Sequence, residues 1–129
     1  MIIKRSLILL LLAACNSRLA KTIAITEQSA NSIVEMSAGD ILEVTLTGNP
    51  STGFLWEPLA VDTAVIKQKG EWRFVPDNDT PGFVGSPGKL TMHFEAVGLG
   101  QEMLRLIYRR PFEPDIPPAQ TFEITVVVK

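Results

Sequence analysis

Cys15 and His93 are the only thiol and the only imidazole in the chain, so the first chemistry to weigh is a thiolate activated by a neighbouring base. That needs a free thiol within hydrogen-bond reach of the imidazole. Cys15 instead follows Lys4-Arg5, the apolar run Leu7 to Leu12 and then Ala13-Ala14, the order of a signal peptide and its cleavage site. His93 lies between Thr91 and Glu95 in a period-two pattern, which predicts a solvent-facing strand position. Ser-His-Asp chemistry lacks a Gly-x-Ser-x-Gly elbow. Asp77-Asn78-Asp79 offers oxygen ligands, but position 12 counted from Asp77 is Gly88, where a calcium loop of the EF-hand type has Glu; a solvated loop is the reading. Asn78-Asp79-Thr80 has the form of a glycosylation acceptor. Glu113 and Asp115 read as the charged rim of a Pro-rich loop rather than as an acid–base pair. No catalytic set, metal set or cofactor is expected, and an enzyme is the weakest of the readings.

The apolar run Leu7 to Ala14 covers eight residues, whereas a spanning helix needs roughly 20. Residues 1–14 therefore read as a signal peptide. Leu12-Ala13-Ala14-Cys15 resembles the bacterial lipobox, which implies that Cys15 is lipidated and heads the mature chain; the alternative is an ordinary signal peptide with an incidental Cys. Removing 14 of 129 residues leaves 115, with no second thiol and no possible internal disulfide. The domain must hold together through its apolar core. Losing Lys4 and Arg5 takes the formal charge from −2 to −4, which offers no basic surface, so nucleic acid is not an expected partner.

The full chain's 46% hydrophobic, 20% charged composition and its length suit one domain, over residues 22–129, tethered by residues 15–21. Leu42, Val44 and Leu46 alternate with polar residues, as do Leu90, Met92, Phe94 and Ala96, then Leu104, Leu106 and Tyr108, and Phe122, Ile124, Val126 and Val128. Such alternation predicts strands with one buried face. Shorter candidates are Thr22 to Thr26, Ile33 to Met36, Phe54 to Leu59 and Val65 to Lys69, with Glu71 to Phe74 the weakest. No apolar stripe recurs at helical spacing. The pattern predicts an all-β, immunoglobulin-like antiparallel β-sandwich of about seven to eight strands, with Trp56 in the core of a central strand.

If direction reverses at each connection, three unusual loops fall at one end: Gly48 to Gly53, Gly70 to Lys89 and Arg110 to Ala119. Plain turns, Ala60 to Ala64 and Gly98 to Gln101, fall at the other. Long Pro- and Gly-rich loops clustered on a rigid scaffold are typical of a binding surface. Taken alone, Asn49-Pro50 and Thr52-Gly53 are also simply good turn formers.

Asn49-Pro50-Ser51-Thr52-Gly53, followed by Phe54-Leu55-Trp56, resembles the Asn-Pro-Thr-Thr-Gly loop and aromatic strand of the chagasin-like cysteine-protease inhibitors. Gly85-Ser86-Pro87-Gly88 resembles that family's Gly-x-Gly-Gly loop, and Arg110-Pro111-Phe112 its Arg-Pro-Trp loop. The resemblance implies a reversible inhibitor that wedges these loops into the cleft of a papain-family protease. In that wedge Thr52 is the central hydrogen-bonding residue, Phe112 stacks on one side and Gly85 to Gly88 cover the other. Three positions depart from the pattern. Pro87 in place of Gly removes an N–H and fixes φ, Phe112 in place of Trp drops the indole donor, and Ser51 for Thr is mild. Pro87 and Phe112 keep a second reading open, a structural or scaffold lipoprotein of the envelope with an inhibitor-like fold. A monomer lipid-anchored in a bacterial cell envelope is expected in either case.

Overall fold

The alternating apolar residues do form strands, because a sheet built on them buries one face of each strand and leaves the intervening polar residues at the surface. In the computed structural model, which describes residues 18–129, the nine strands are β1 (Thr22–Ile25), β2 (Ile33–Met36), β3 (Ile41–Gly48), β4 (Leu55–Pro58), β5 (Ile66–Gln68), β6 (Arg73–Pro76), β7 (Gly88–Ala96), β8 (Gly100–Arg109) and β9 (Gln120–Val128). Two short 3-10 turns, Glu27–Ser29 and Pro50–Thr52, complete the elements. One sheet has the order β1-β3-β7-β5 with β6 also on β7, and the other β2-β9-β8-β4. Leu42, Leu46, Met92, Phe94, Leu104, Leu106 and Ile124 are almost wholly buried between them. Cys15 lies outside the described residues.

Three features differ in detail from the sequence expectation. Two edge pairings are parallel, β1 with β3 and β2 with β9, because the incoming chain pairs first with one sheet and then crosses to the other. Gly70 to Lys89 is not all loop. Arg73 pairs with Thr91 and Pro76 with Gly88 along β7, continuing the line that β5 begins at Ile66 and Ala96, so only Asp77 to Pro87 loops out. Strand β6 is an edge strand with no fully buried residue, where a terminal Pro is tolerated; its apolar signal is correspondingly faint. Trp56 is in the core, 4% exposed, but β4 is an edge strand that pairs only with β8.

Candidate functional site

Strands β3, β6 and β8 all finish at one end of the sandwich. Gly48 pairs with Gly88, Pro76 pairs with the same Gly88, and a Cβ on Gly48 would lie 3.6 Å from the ring of Tyr108. The loops that leave these strands, Asn49 to Phe54, Asp77 to Pro87 and Arg110 to Ala119, therefore emerge side by side.

The first loop is stiff because its own side chains satisfy its backbone. Asn49 caps the 3-10 turn, its Oδ1 accepting from the Ser51 amide at 3.2 Å and the Ser51 hydroxyl at 2.5 Å. Pro50 opens the turn with a preset φ, and Gly53 closes it at φ +88°, a left-handed conformation that suits glycine. The Thr52 hydroxyl, expected to serve a partner, donates to the Asn49 carbonyl at 2.6 Å; only its oxygen lone pairs remain to accept.

The neighbouring loops lock this turn from both sides. Asn49 Nδ2 donates to the Gly85 carbonyl at 3.1 Å, and Arg110 Nε donates to the Thr52 carbonyl at 2.9 Å. The guanidinium of Arg110 also lies 4.6 Å over the ring of Phe54 and reaches Glu113 at 3.4 Å. Phe112 packs across Gly53, where an added Cβ would sit 3.0 Å from its ring. Phe112 is otherwise 70% exposed, and Pro111 is exposed beside it.

In the middle loop Ser86 turns inward: its hydroxyl donates to the Pro87 carbonyl at 2.8 Å and accepts from the Asn78 amide at 3.2 Å. The Asp77 amide donates to that same carbonyl at 2.9 Å. Asp77 faces Lys89 at 3.5 Å and Asn78 caps its own turn through the Thr80 amide. Gly88 is not a surface residue. It is buried in β7, and a Cβ there would meet the Val75 carbonyl at 2.2 Å, so it lets β6 close on β7 at the base of the loop. Between the first and middle loops lies a groove of about 420 Å³ bordered by Pro50, Phe74 and Phe83.

An aromatic platform supports the whole end. Tyr108 stacks on Phe54 at 5.1 Å and packs against Trp56 at 5.0 Å, and its hydroxyl accepts the Asn49 amide at 3.0 Å. Trp56 Nε1 donates to the Thr47 carbonyl at 3.0 Å. The sequence marks Trp56 as core and Tyr108 as part of an alternating strand, but not that these rings seat the loop; the spacing of Phe54 and Trp56, two apart directly after Gly53, is the available signal. His93 is remote from the loops, paired with Glu43 at 3.0 Å in the middle of β3 and β7. Among the described residues no cluster of three or more His, Cys, Asp or Glu side chains is placed to hold a metal.

Residues 35–126 match the family model described as chagasin family peptidase inhibitor I42. The chain is 30% identical over 106 residues to amoebiasin-1 of Entamoeba histolytica, covering 82% of this chain and 99% of that protein. In three dimensions it is similar to the cysteine protease inhibitor EhICP2 from the same organism, with a TM-score of 0.74 at 22% identity over 88% of this chain and all of that one. It also resembles PbICP-C, solved in complex with falcipain-2, with a TM-score of 0.54 at 24% identity over 85% of this chain and all of that one.

Proposed function

The chain belongs to the chagasin family of peptidase inhibitors, and from that premise we propose that it blocks papain-family cysteine proteases with the three adjacent loops at one end of its sandwich. It is an inhibitor of such proteases and not an enzyme. The contact residues are drawn from Asn49 to Gly53, from Gly85 to Pro87 and from Arg110 to Phe112, with Gly88 supporting from below.

The observation that carries this reading is the double lock on the first loop, Asn49 to Gly85 and Arg110 to Thr52. A loop already held in one shape loses little conformational entropy on docking. The same shape resists cleavage. Its backbone is folded into a 3-10 turn by the bonds within Asn49 to Gly53, so the protease meets a compact turn rather than an extended peptide. Occupancy of the cleft then suffices for inhibition. A standard interface of roughly 800 Å² per partner supports nanomolar binding when its central contacts are good, and exposed Phe112 beside the small residues of the first loop is the aromatic anchor.

The lipobox-like Leu12 to Cys15 segment supports a further part of the same reading. Cys15 is acylated after removal of residues 1–14 and holds the inhibitor at a bacterial envelope membrane. The inhibitor is a monomer and needs no cofactor.

Two experiments test the halves separately. Papain whose active-site thiol carries a small blocking group should bind more weakly than free papain, and the inhibitor should emerge uncut; equal affinity, or cleavage between Asn49 and Gly53, would contradict docking at the thiolate. Mass spectrometry of the protein expressed in bacteria should find diacylglycerol and fatty acyl mass on Cys15, and an unmodified thiol there would contradict the anchor.

A further inference from the structure

The pole opposite the three loops is built from the turn at Ser37 to Asp40, the turn at Val97 to Leu99 and the incoming segment Arg18 to Lys21. The two turns are adjacent: the Gly39 amide donates to the Ala96 carbonyl at 2.7 Å, and the Ala96 amide donates to the Asp40 carbonyl at 2.9 Å. Asp40 is fully buried and binds the incoming chain tightly. Arg18 donates to both of its carboxylate oxygens, at 3.0 and 3.1 Å, while the amides of Lys21 and Ser37 add bonds of 3.1 and 3.0 Å. Buried charge is retained where it is fully paired, so this clamp fixes where the chain enters the domain. Around it stand apolar side chains that the domain does not cover: Leu19 is 91% exposed, Leu99 73% and Val97 39%.

We propose that this pole rests on the lipid surface to which Cys15 is attached, with Leu19 and Leu99 entering the headgroup layer and the three inhibitory loops facing away from it. The inference depends on the acylation of Cys15. Cys15 precedes Arg18 by three residues, at most about 10 Å of fully extended chain. With Arg18 clamped to Asp40, that length holds the clamp pole against the bilayer and is too short for the domain to turn over. Strand β7 runs from the loop pole to the clamp pole, Gly88 to Ala96, roughly 27 Å at about 3.3 Å per residue, so the loops stand clear of the headgroups. A target protease then approaches from the aqueous side with its cleft turned towards the membrane, and the class of partner is a water-soluble protease.

The acylated full-length protein, bound to vesicles of phosphatidylethanolamine and phosphatidylglycerol with a fraction of nitroxide-labelled headgroups, reads the orientation directly. Acylation consumes the only native thiol, so Leu99→Cys and Val84→Cys can each carry a fluorophore at one pole. The Leu99 reporter should lose most of its fluorescence and the Val84 reporter little. Equal quenching at both sites, or stronger quenching at Val84, would overturn the orientation while leaving the anchor intact. Failure to float with the vesicles, together with an unmodified Cys15, would overturn the anchor and the proposal with it.

Discussion

Arg110 Nε donates to the carbonyl oxygen of Thr52 at 2.9 Å, across 58 residues of sequence. This bond joins the third loop to the first, and the same guanidinium lies over Phe54 at the base of the first loop. Arg110 thus braces the wedge as well as lining it. Its planar fork, with one edge on a carbonyl and one face on a ring, is a geometry that an ammonium group does not reproduce.

Arg110→Lys should accordingly weaken inhibition of papain although the charge is kept. A lost charge-assisted hydrogen bond is worth about 1.5–3 kcal/mol, or roughly a tenfold to hundredfold rise in the inhibition constant. Thermal stability should fall as well, by no more than that bond contributes, because the same bond holds the loop in the free protein. An inhibition constant equal to that of the parent would mean that the brace is not needed for docking.

Phe112→Ala should cost about 1–3 kcal/mol of binding if the ring is the aromatic anchor. It should leave the unfolding midpoint nearly unchanged, since the side chain is 70% exposed in the free protein. Titration calorimetry beside urea denaturation checks both. A large loss of stability with unchanged binding would assign the ring to the fold instead.

The pH dependence of folding should carry the signature of Asp40. Hydrogen bonds from Arg18 and then from the Ser37 amide hold its carboxyl well below the usual carboxylate range, against the desolvation that opposes them. A depressed carboxylate stabilises the folded state above the unfolded pKa of about 4 and loses that contribution as the pH falls below it. Urea midpoints measured from pH 6 down to pH 3 should therefore fall, and Asp40→Asn should start lower at pH 6 and fall less. Inhibition by the folded variant should be unaffected, as Asp40 lies at the opposite pole. An unchanged slope in Asp40→Asn would contradict the assignment.

The long alternating strands were legible in the sequence because each buries one face between two sheets; Leu42-Val44-Leu46 and Phe122-Ile124-Val126 show period two plainly. The placing of three loops at one end followed from strand parity. What stayed hidden depends on edges and on partners distant in sequence. Strand β6 has no fully buried residue to mark it, and the parallel pairings of β1 and β2 arise from a crossing between sheets that local pattern does not encode. The role of Tyr108 as the acceptor for Asn49, 59 residues away, and the burial of Gly88 under Val75 are tertiary facts. Buried Asp40 stood in a polar turn, Ser37 to Asp40, and its partner Arg18 in what read as a free tether.

If the locked first loop carries inhibition, the inhibition constant for papain must depend on that loop. It should be measured with the soluble fragment from Asn16 to Lys129 beside the same fragment carrying Thr52→Ala and Gly53→Glu. Glutamate at position 53 must adopt φ near +88° and displace the ring of Phe112, so it disrupts the wedge at its tip. The parent should inhibit at nanomolar concentration, and the folded variant should have lost that inhibition. Undiminished inhibition by the variant, or none by the parent at micromolar concentration, would contradict the role of the loop.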